Sequence, residues 1–161
     1  MKPTKRRSLL VAGVAVAQLV LVGVAVAPQL SARTTGETYE LAVSPVDPMD
    51  PFRGAYVDLD YPDLQPPDSW RQPSYDQDVF VVIEESDGLM KATDWTTDRP
   101  DSGTYLTCSP AGWPFSCGIE SWFADSAEAR RLEEAMRDKG AIAEVKIDSR
   151  GNAAIVGLRE R

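Results

Sequence analysis

Paired carboxylates are the first residues in this chain that could do chemistry. Asp58 and Asp60 lie two positions apart, so on a strand they share one face, as a general acid and base would need to. Acidic faces are also common on strands that only meet solvent. Glu84, Glu85 and Asp87 cluster at a predicted turn without the spacing of a calcium-binding loop. The carboxylates therefore indicate no specific reaction or metal.

Other catalytic patterns are absent from the sequence. The chain has no histidine, which is the commonest general base and metal ligand. A serine–lysine dyad would need Lys91, Lys139 or Lys146 buried beside a serine. No Gly-x-Ser-x-Gly elbow or glycine-rich phosphate loop is present. We therefore predict a protein that is not an enzyme, with no catalytic residues, no bound metal and no cofactor.

Cys108 and Cys117 are the only cysteines, and they flank the turn-rich segment 109–116. Outside the cytoplasm they can form one intrachain disulfide, whose short loop would stabilise the fold by about 2–3 kcal/mol. A redox-active pair is the alternative, but the spacing is not Cys-x-x-Cys and no neighbouring cation would stabilise a thiolate. We predict a structural disulfide.

Charge is divided sharply along the chain. Of the 17 basic side chains, Lys2, Lys5, Arg6 and Arg7 lie in residues 1–30, which contain no acidic residue. The remaining 13 accompany all 25 acidic side chains, so this part has a net charge of −12. Such an excess repels polyphosphate backbones, and we predict no nucleic-acid partner.

The segment Leu9–Ala27 is apolar apart from Gln18. As a helix it would span about 28 Å, close to the roughly 30 Å hydrocarbon core of a bilayer. Basic residues precede it and only Arg33 follows closely, so the positive-inside rule predicts a cytoplasmic N-terminus and an extracytoplasmic domain. The prediction is a single-pass protein of the cell membrane, with the lipid bilayer as its first partner.

A cleaved signal peptide is the alternative interpretation of this segment. Ala25-Val26-Ala27 has the small-x-small form of a cleavage site, and a cut there would release a secreted domain. Pro28 just after the cut and the length of the apolar run argue against it. Both interpretations place the domain outside the cytoplasm.

The predicted organisation is a basic cytoplasmic tail at 1–8, a transmembrane helix at 9–27, a linker at 28–37 and a β-rich domain at 38–161. Alternating or β-branched runs predict strands at 38–43, 55–61, 79–83, 89–95, 103–108, 116–123, 141–147 and 153–158. Short connections favour antiparallel pairing. We therefore expect a mainly β fold, a small antiparallel barrel or sandwich of about eight strands, with one α-helix.

Two strands can be specified further. In the segment 55–61, Val57, Leu59 and Tyr61 share one face and are the core-facing set, whereas Tyr56 points the opposite way. The unbroken run Val79–Ile83 predicts a central strand, and Ser86-Asp87-Gly88 predicts the hairpin turn after it.

The helix of the domain is predicted between Asp125 and Gly140. Asp125 and Glu128 have the spacing of a capping box, an apolar stripe at helical spacing follows, and Gly140 supplies the C-terminal stop.

The stretch Asp47–Tyr61 reads DPMDPFRGAYVDLDY. Its Gly54, Tyr56, Leu59 and Tyr61 match the signature of the GDYXXLXY protein family, named for Gly-Asp-Tyr, two variable residues, Leu, one variable residue and Tyr. The resemblance continues in the apolar helix, in the hairpin after 79–83, in the segment GIESWF at 118–123 and in the closing hairpin. It covers nearly the whole chain.

This resemblance implies a membrane-anchored protein of unknown function, with a polytopic membrane protein as its partner. Ala55 replaces the signature Asp, so that carboxylate is not required here, and Trp122 stands where the family has another aromatic. The residues that we single out as a candidate interaction site are Asp50, Arg53, Gly54, Tyr56, Leu59, Tyr61, Trp122 and Phe123.

The motif has a structural and a functional interpretation. Gly54 permits a positive φ where an extended arm enters a strand, Tyr61 buries its ring, and Asp50 can bridge Arg53. The alternative is that Arg53 and Tyr56 form a recognition patch.

We expect a non-catalytic extracytoplasmic module that assembles with a membrane partner. The alternative function is binding of a small molecule or envelope polymer by aromatic residues in loops and strand ends, namely Trp70, Trp95, Trp113 and Trp122.

Overall fold

A computed structural model describes residues 5–45, 56–112, 115–123 and 140–161. The predicted helix between Asp125 and Gly140 and the first half of the motif, with Asp50, Arg53 and Gly54, lie outside the described residues. So do Trp113 and the side chain of Tyr56.

The first element is a single long helix, α1, from Lys5 to Thr35. The part from Leu9 to Thr35 comprises 27 residues with a mean hydropathy of 2.6, and it is long and apolar enough to cross a membrane. Its leucines and valines are largely exposed, Leu9 by 73% and Leu19 by 72%. Apolar residues on every side are typical of a helix that is surrounded by lipid.

Helix α1 extends beyond its apolar run. The segment 28–37, which was predicted to be a linker, is helical as far as Thr35, and the first strand begins at Glu37. Pro28 and the two threonines disfavour a helix by local propensity. Packing overrides that preference, because Ala32 is completely buried and α1 packs on the last two strands of the chain.

Eight strands occur in the described residues, and all their pairings are antiparallel. They are β1 (Glu37–Pro45), β2 (Tyr56–Asp60), β3 (Val79–Ser86), β4 (Leu89–Thr96), β5 (Thr104–Cys108), β6 (Ser121–Phe123), β7 (Ala141–Ile147) and β8 (Ala153–Glu160). Five form one sheet in the order β6-β2-β1-β7-β8, and three form a second in the order β4-β3-β5. The predicted mainly β, antiparallel fold is confirmed.

One hydrophobic core lies between the two sheets. It contains Leu41 of β1, Val81 of β3 and Val145 of β7, each almost completely buried. The predicted core face of β2 is confirmed, since Val57, Leu59 and Tyr61 are 1%, 3% and 5% exposed. Strand β3 lies at the centre of its sheet, as the unbroken apolar run indicated.

The hairpin turn predicted at Ser86-Asp87-Gly88 lies between β3 and β4, with Ser86 as the last residue of β3. Ser86 pairs with Leu89, and Asp87 and Gly88 have φ values of 57° and 81°. Two successive positive φ angles give the turn whose twist matches that of the flanking strands, and Asp-Gly is among the pairs that adopt it most readily.

Candidate functional site

The motif strand β2 lies between β1 and β6. Val57 pairs with Trp122 and Tyr56 with Phe123, and the amide of Leu59 donates to the carbonyl of Glu120 at 2.8 Å. Two stretches that carry the family resemblance, 56–61 and 118–123, are therefore hydrogen-bonded to each other.

Tyr61 joins these two stretches through its side chain. Its ring is buried, and its hydroxyl donates to the carbonyl of Ile119 at 2.8 Å. Burial, with a smaller contribution from the charge of Glu120, raises the pKa of the Tyr61 phenol far above its usual value. The phenol therefore remains a neutral hydrogen-bond donor and is no candidate acid or base near pH 7.

The predicted disulfide between Cys108 and Cys117 is formed. Glu120 holds the end of its loop, because its carboxylate accepts hydrogen bonds from the amides of Cys117 and Gly118, at 2.5 and 3.0 Å, and from the Ser116 hydroxyl at 3.0 Å. Sequence reasoning did not identify this role. The sequence feature that could have indicated it is a carboxylate two residues after Cys117-Gly118, where the backbone amides of a turn are available as donors.

A cavity of about 240 Å³ lies beside β2, and Asp58, Asp60 and Glu120 are among its lining residues. Both oxygens of Glu120 already accept hydrogen bonds, and Asp60 accepts one from the Gln65 side chain at 2.8 Å. In the part of the chain that the structure describes, no group of three or more acidic or cysteine side chains could hold a metal ion.

A second group of contacts fastens the end of α1 to the domain. Gln29 Nε2 donates to the carbonyl of Gly118 at 3.1 Å, and Ser31 Oγ donates to Asp148 Oδ2 at 2.5 Å. Gly36 then closes the helix, with its amide bonded to the Ala32 carbonyl at 2.9 Å. A Cβ on Gly36 would lie 2.5 Å from that oxygen and 2.9 Å from the backbone of Ile147, so the close approach requires glycine.

Asp148 is the polar centre of this junction and is only 7% exposed. Besides Ser31, it accepts hydrogen bonds from the amides of Arg150 and Asn152 and from the Asn152 side chain, at 2.8, 3.1 and 2.9 Å. Burial raises the pKa of the Asp148 carboxyl, but the four hydrogen bonds together outweigh it and lower the pKa below 3.8. Asp148 is thus ionised and fully engaged at neutral pH.

The β7–β8 turn that contains Asp148 also contacts the other sheet. Thr107 of β5 bonds to this turn twice, through its amide to the carbonyl of Gly151 at 2.8 Å and through its hydroxyl to that of Arg150 at 2.7 Å. Gly151 has φ 78°, and a Cβ there would lie 2.6 Å from the Thr107 hydroxyl. The turn therefore joins α1 and both sheets.

A groove of about 510 Å³ opens between the end of α1 and β6. Gln29 and Arg33 line its helix side, and Trp122 and Phe123 line its sheet side. Among the described residues, the buried indole N–H of Trp122 has no hydrogen-bond acceptor. Phe123 is 79% exposed. This groove is a second concave feature of the described residues that contains members of the candidate interaction site.

The described tryptophans do not form one cluster. Trp70 packs edge-on against Phe115 with ring centroids 5.8 Å apart, and the Trp95 indole donates to the carbonyl of Leu64 at 3.0 Å. Both rings are partly buried against the core, whereas Trp122 also lines the groove. Of the described tryptophans, Trp122 is therefore the one that lines the groove beside α1.

The candidate interaction residues divide into two groups. Leu59 and Tyr61 belong to the core. Trp122 and Phe123 lie at the groove, and the backbone of Tyr56 pairs with Phe123. Arg53 and the side chain of Tyr56, which were predicted as a recognition patch, lie outside the described residues.

The family model described as "GDYXXLXY protein" matches residues 18–158. This match covers the last part of the apolar helix and the domain up to the end of the closing hairpin. No curated protein and no solved structure matches the chain.

Proposed function

The chain belongs to the GDYXXLXY protein family, and from that premise we propose a single-pass membrane protein whose β domain is a non-catalytic interaction module outside the cytoplasm. The observation that carries this proposal is the junction at the end of α1. An apolar helix that can cross a bilayer continues without a linker into two turns that are fastened to the domain.

The anchoring role follows from the exposed surface of α1. The segment Leu9–Ala27, which is apolar apart from Gln18, is not buried by the rest of the described chain and would present an unfavourable surface to water, whereas the same helix satisfies all its backbone groups within lipid. Four basic residues on the N-terminal side favour a cytoplasmic N-terminus. Gln29 and Ala32 contact the domain. Cleavage after Ala27 would therefore remove most of α1 and leave only its last two turns at that junction.

An extracytoplasmic domain is supported by the disulfide. The bond between Cys108 and Cys117 is of a kind that persists in oxidising compartments and is rare in the cytosol. The acidic domain and the basic N-terminal tail then lie on opposite sides of the membrane.

The interaction role is supported by the absence of a flexible connection. Only Gly36 separates α1 from β1, so the domain has a fixed orientation relative to the helix. A partner that is itself embedded in the bilayer would always meet the same face of the domain, which reduces the entropy lost on association. A polytopic membrane protein is therefore the class of partner that we propose.

Limited proteolysis tests the topology. In intact spheroplasts, added protease should digest the C-terminal domain and leave a protected fragment that contains α1. Protection of the domain until lysis would contradict the proposed orientation. The mass of the purified protein tests retention of the helix, because a mature chain that starts at Pro28 would show that α1 is a cleaved signal.

Photo-crosslinking in native membranes tests the partner. A photoreactive amino acid at Ser121, which is exposed beside the end of α1, should give a crosslink to a membrane protein. Four flexible Gly-Ser residues inserted between Gly36 and Glu37 should abolish this crosslink while the chain remains membrane-bound. The same insertion after Asp101, in an exposed loop, is the control and should preserve it. Recovery of only the uncrosslinked chain would contradict the proposal.

A second candidate function rests on the cavity beside β2. Its volume of about 240 Å³ lies just below the range of about 300–1,000 Å³ that is typical of ligand pockets. Asp58, Asp60 and an apolar floor of Leu64 and Phe115 would suit a small organic cation. A thermal-shift screen with primary amines and quaternary ammonium compounds tests this function, and no shift at millimolar ligand would exclude it.

A further inference from the structure

The groove between α1 and β6 lies at a defined height along the membrane helix. If the apolar run fills the hydrocarbon core as far as Ala27, a rise of 1.5 Å per residue places Gln29 about 3 Å and Arg33 about 9 Å beyond it. The headgroup layer on each side of a bilayer is about 5–8 Å thick. Both α1 residues of the groove therefore lie within or beside this layer.

The two walls of the groove are suited to this depth. The α1 wall has the guanidinium of Arg33, the first charged side chain after the apolar run. Lys146 Nζ donates to the Arg33 carbonyl at 3.2 Å, so a second cation lies close by. The β6 wall has Trp122 and Phe123, and tryptophan is a residue type enriched at membrane interfaces.

Trp122 supplies an independent indication of a ligand. Its indole N–H is buried without an acceptor among the described residues, and a buried donor without a partner carries a free-energy penalty. An oxygen acceptor in the groove would remove this penalty after a small displacement of the ring. A phosphate oxygen could accept from Trp122 while a second oxygen meets Arg33.

We propose that this groove binds the phosphodiester headgroup of a bilayer phospholipid, with Arg33 and the Trp122 indole N–H as its contacts. The inference rests on the proposed function, since it requires α1 to span the membrane. A lipid is favoured over free phosphate because the domain has a net charge of −12, which repels dissolved anions. A lipid beside α1 is held at the groove by the bilayer itself.

Fluorine NMR on the full chain tests the inference. The tryptophans are labelled with 5-fluorotryptophan, and the protein is reconstituted in phosphatidylcholine nanodiscs that contain a few mole per cent of headgroup spin-labelled lipid. The Trp122 resonance should be broadened several times more than that of Trp95. Trp95 is the internal control, because it lies in the other sheet and its N–H is bonded to Leu64.

Two matched variants test the phosphate contact. Arg33→Gln removes the charge of an exposed residue, so folding is preserved, and it should shift the Trp122 resonance and reduce its broadening at least twofold. Arg71→Gln removes an exposed charge from a loop elsewhere and should change neither. Equal effects of the two variants would overturn the proposed contact.

The remaining outcomes separate the two proposals. A chain that does not float with liposomes would contradict the membrane anchor and this inference together. A chain that floats but shows equal broadening of Trp122 and Trp95 would overturn the headgroup site alone. A Trp122 shift on adding inorganic phosphate to the protein in neutral detergent, equal to that in nanodiscs, would show a free-anion site and overturn the lipid assignment.

Discussion

Ser31 donates a hydrogen bond to Asp148 across 117 positions in the sequence. The donor lies on the last turns of α1, and the acceptor lies in the β7–β8 turn, which is also bonded to β5. One carboxylate therefore connects the helix to the turn that joins both sheets, and changes at Asp148 should affect the whole domain.

Asp148→Asn should lower the free energy of unfolding by about 2 kcal/mol or more, because the amide turns one acceptor atom into a donor that faces Ser31 and Asn152. Chemical denaturation of the full chain in detergent, followed by tryptophan fluorescence, measures this loss. Asp101→Asn changes an exposed loop residue and should stay within about 0.5 kcal/mol of the wild type. Similar values for the two variants would show that the junction contributes little.

The stability that Asp148 contributes should depend on pH. Its pKa is lower in the folded chain than in the unfolded chain, so its contribution is present above pH 3.8 and is lost as the pH falls through the folded value. The difference in unfolding free energy between wild type and Asp148→Asn should be constant from pH 7 to about pH 5 and decrease below pH 3.8. A difference that stays unchanged at pH 2 would contradict the assignment.

Tyr61→Phe should destabilise the domain by about 1–3 kcal/mol, because it leaves the buried carbonyl of Ile119 without its donor. Its unfolding midpoint in urea should fall with no change in slope. Tyr75→Phe is the matched control, since the Tyr75 side chain is 83% exposed. Equal midpoints for the two variants would show that the hydrogen bond from the Tyr61 hydroxyl to the Ile119 carbonyl does not stabilise the domain.

Replacement of both cysteines by serine should lower the free energy of unfolding by about 2–3 kcal/mol. This is the loop-closure entropy expected for two cysteines that are nine positions apart in the sequence. The loop should keep its shape, because Ser109 and Ser116 exchange two backbone hydrogen bonds and Glu120 holds the Cys117 amide. Amide hydrogen exchange at Ser109 and Ser116 measures this retention. Full loss of their protection in otherwise folded protein would show that the disulfide alone defines the loop.

Gly36→Ala should loosen the junction between helix and sheet. A methyl group there meets the backbone of Ala32 and Ile147, neither of which can move as a flexible side chain would. The rates of hydrogen exchange of the amide at position 36 and of the Asn152 amide should be at least tenfold higher than in the wild type. Gly13→Ala, on the same helix with open space around it, is the control and should leave both rates unchanged.

Sequence patterns predicted the parts of the fold that depend on local periodicity. The core face of β2 follows from strict alternation, and the Asp87-Gly88 turn follows from its residue types. The helical state of 28–35 could not be predicted in this way, because Pro28 and the threonines indicate a break. That segment is helical because Ala32 packs against strands more than a hundred residues later.

The site was predicted less completely for the same reason. Leu59 and Tyr61 were identified from the motif, and both lie in the core. Glu120 and Asp148 were missed because each accepts two hydrogen bonds from backbone amides, which nearly every residue offers and no sequence pattern marks. The groove at Trp122 also depends on long-range packing, since its walls are separated by about ninety positions.

If α1 spans a membrane, the single residue between α1 and β1 would couple the tilt of the domain to the thickness of the bilayer. A helix whose apolar length exceeds the hydrocarbon core tilts to shorten its projection. With only Gly36 between them, the five-stranded sheet must lean by the same angle as the helix. In thin membranes the domain would rest closer to the lipid on one side, and in thick membranes it would stand upright.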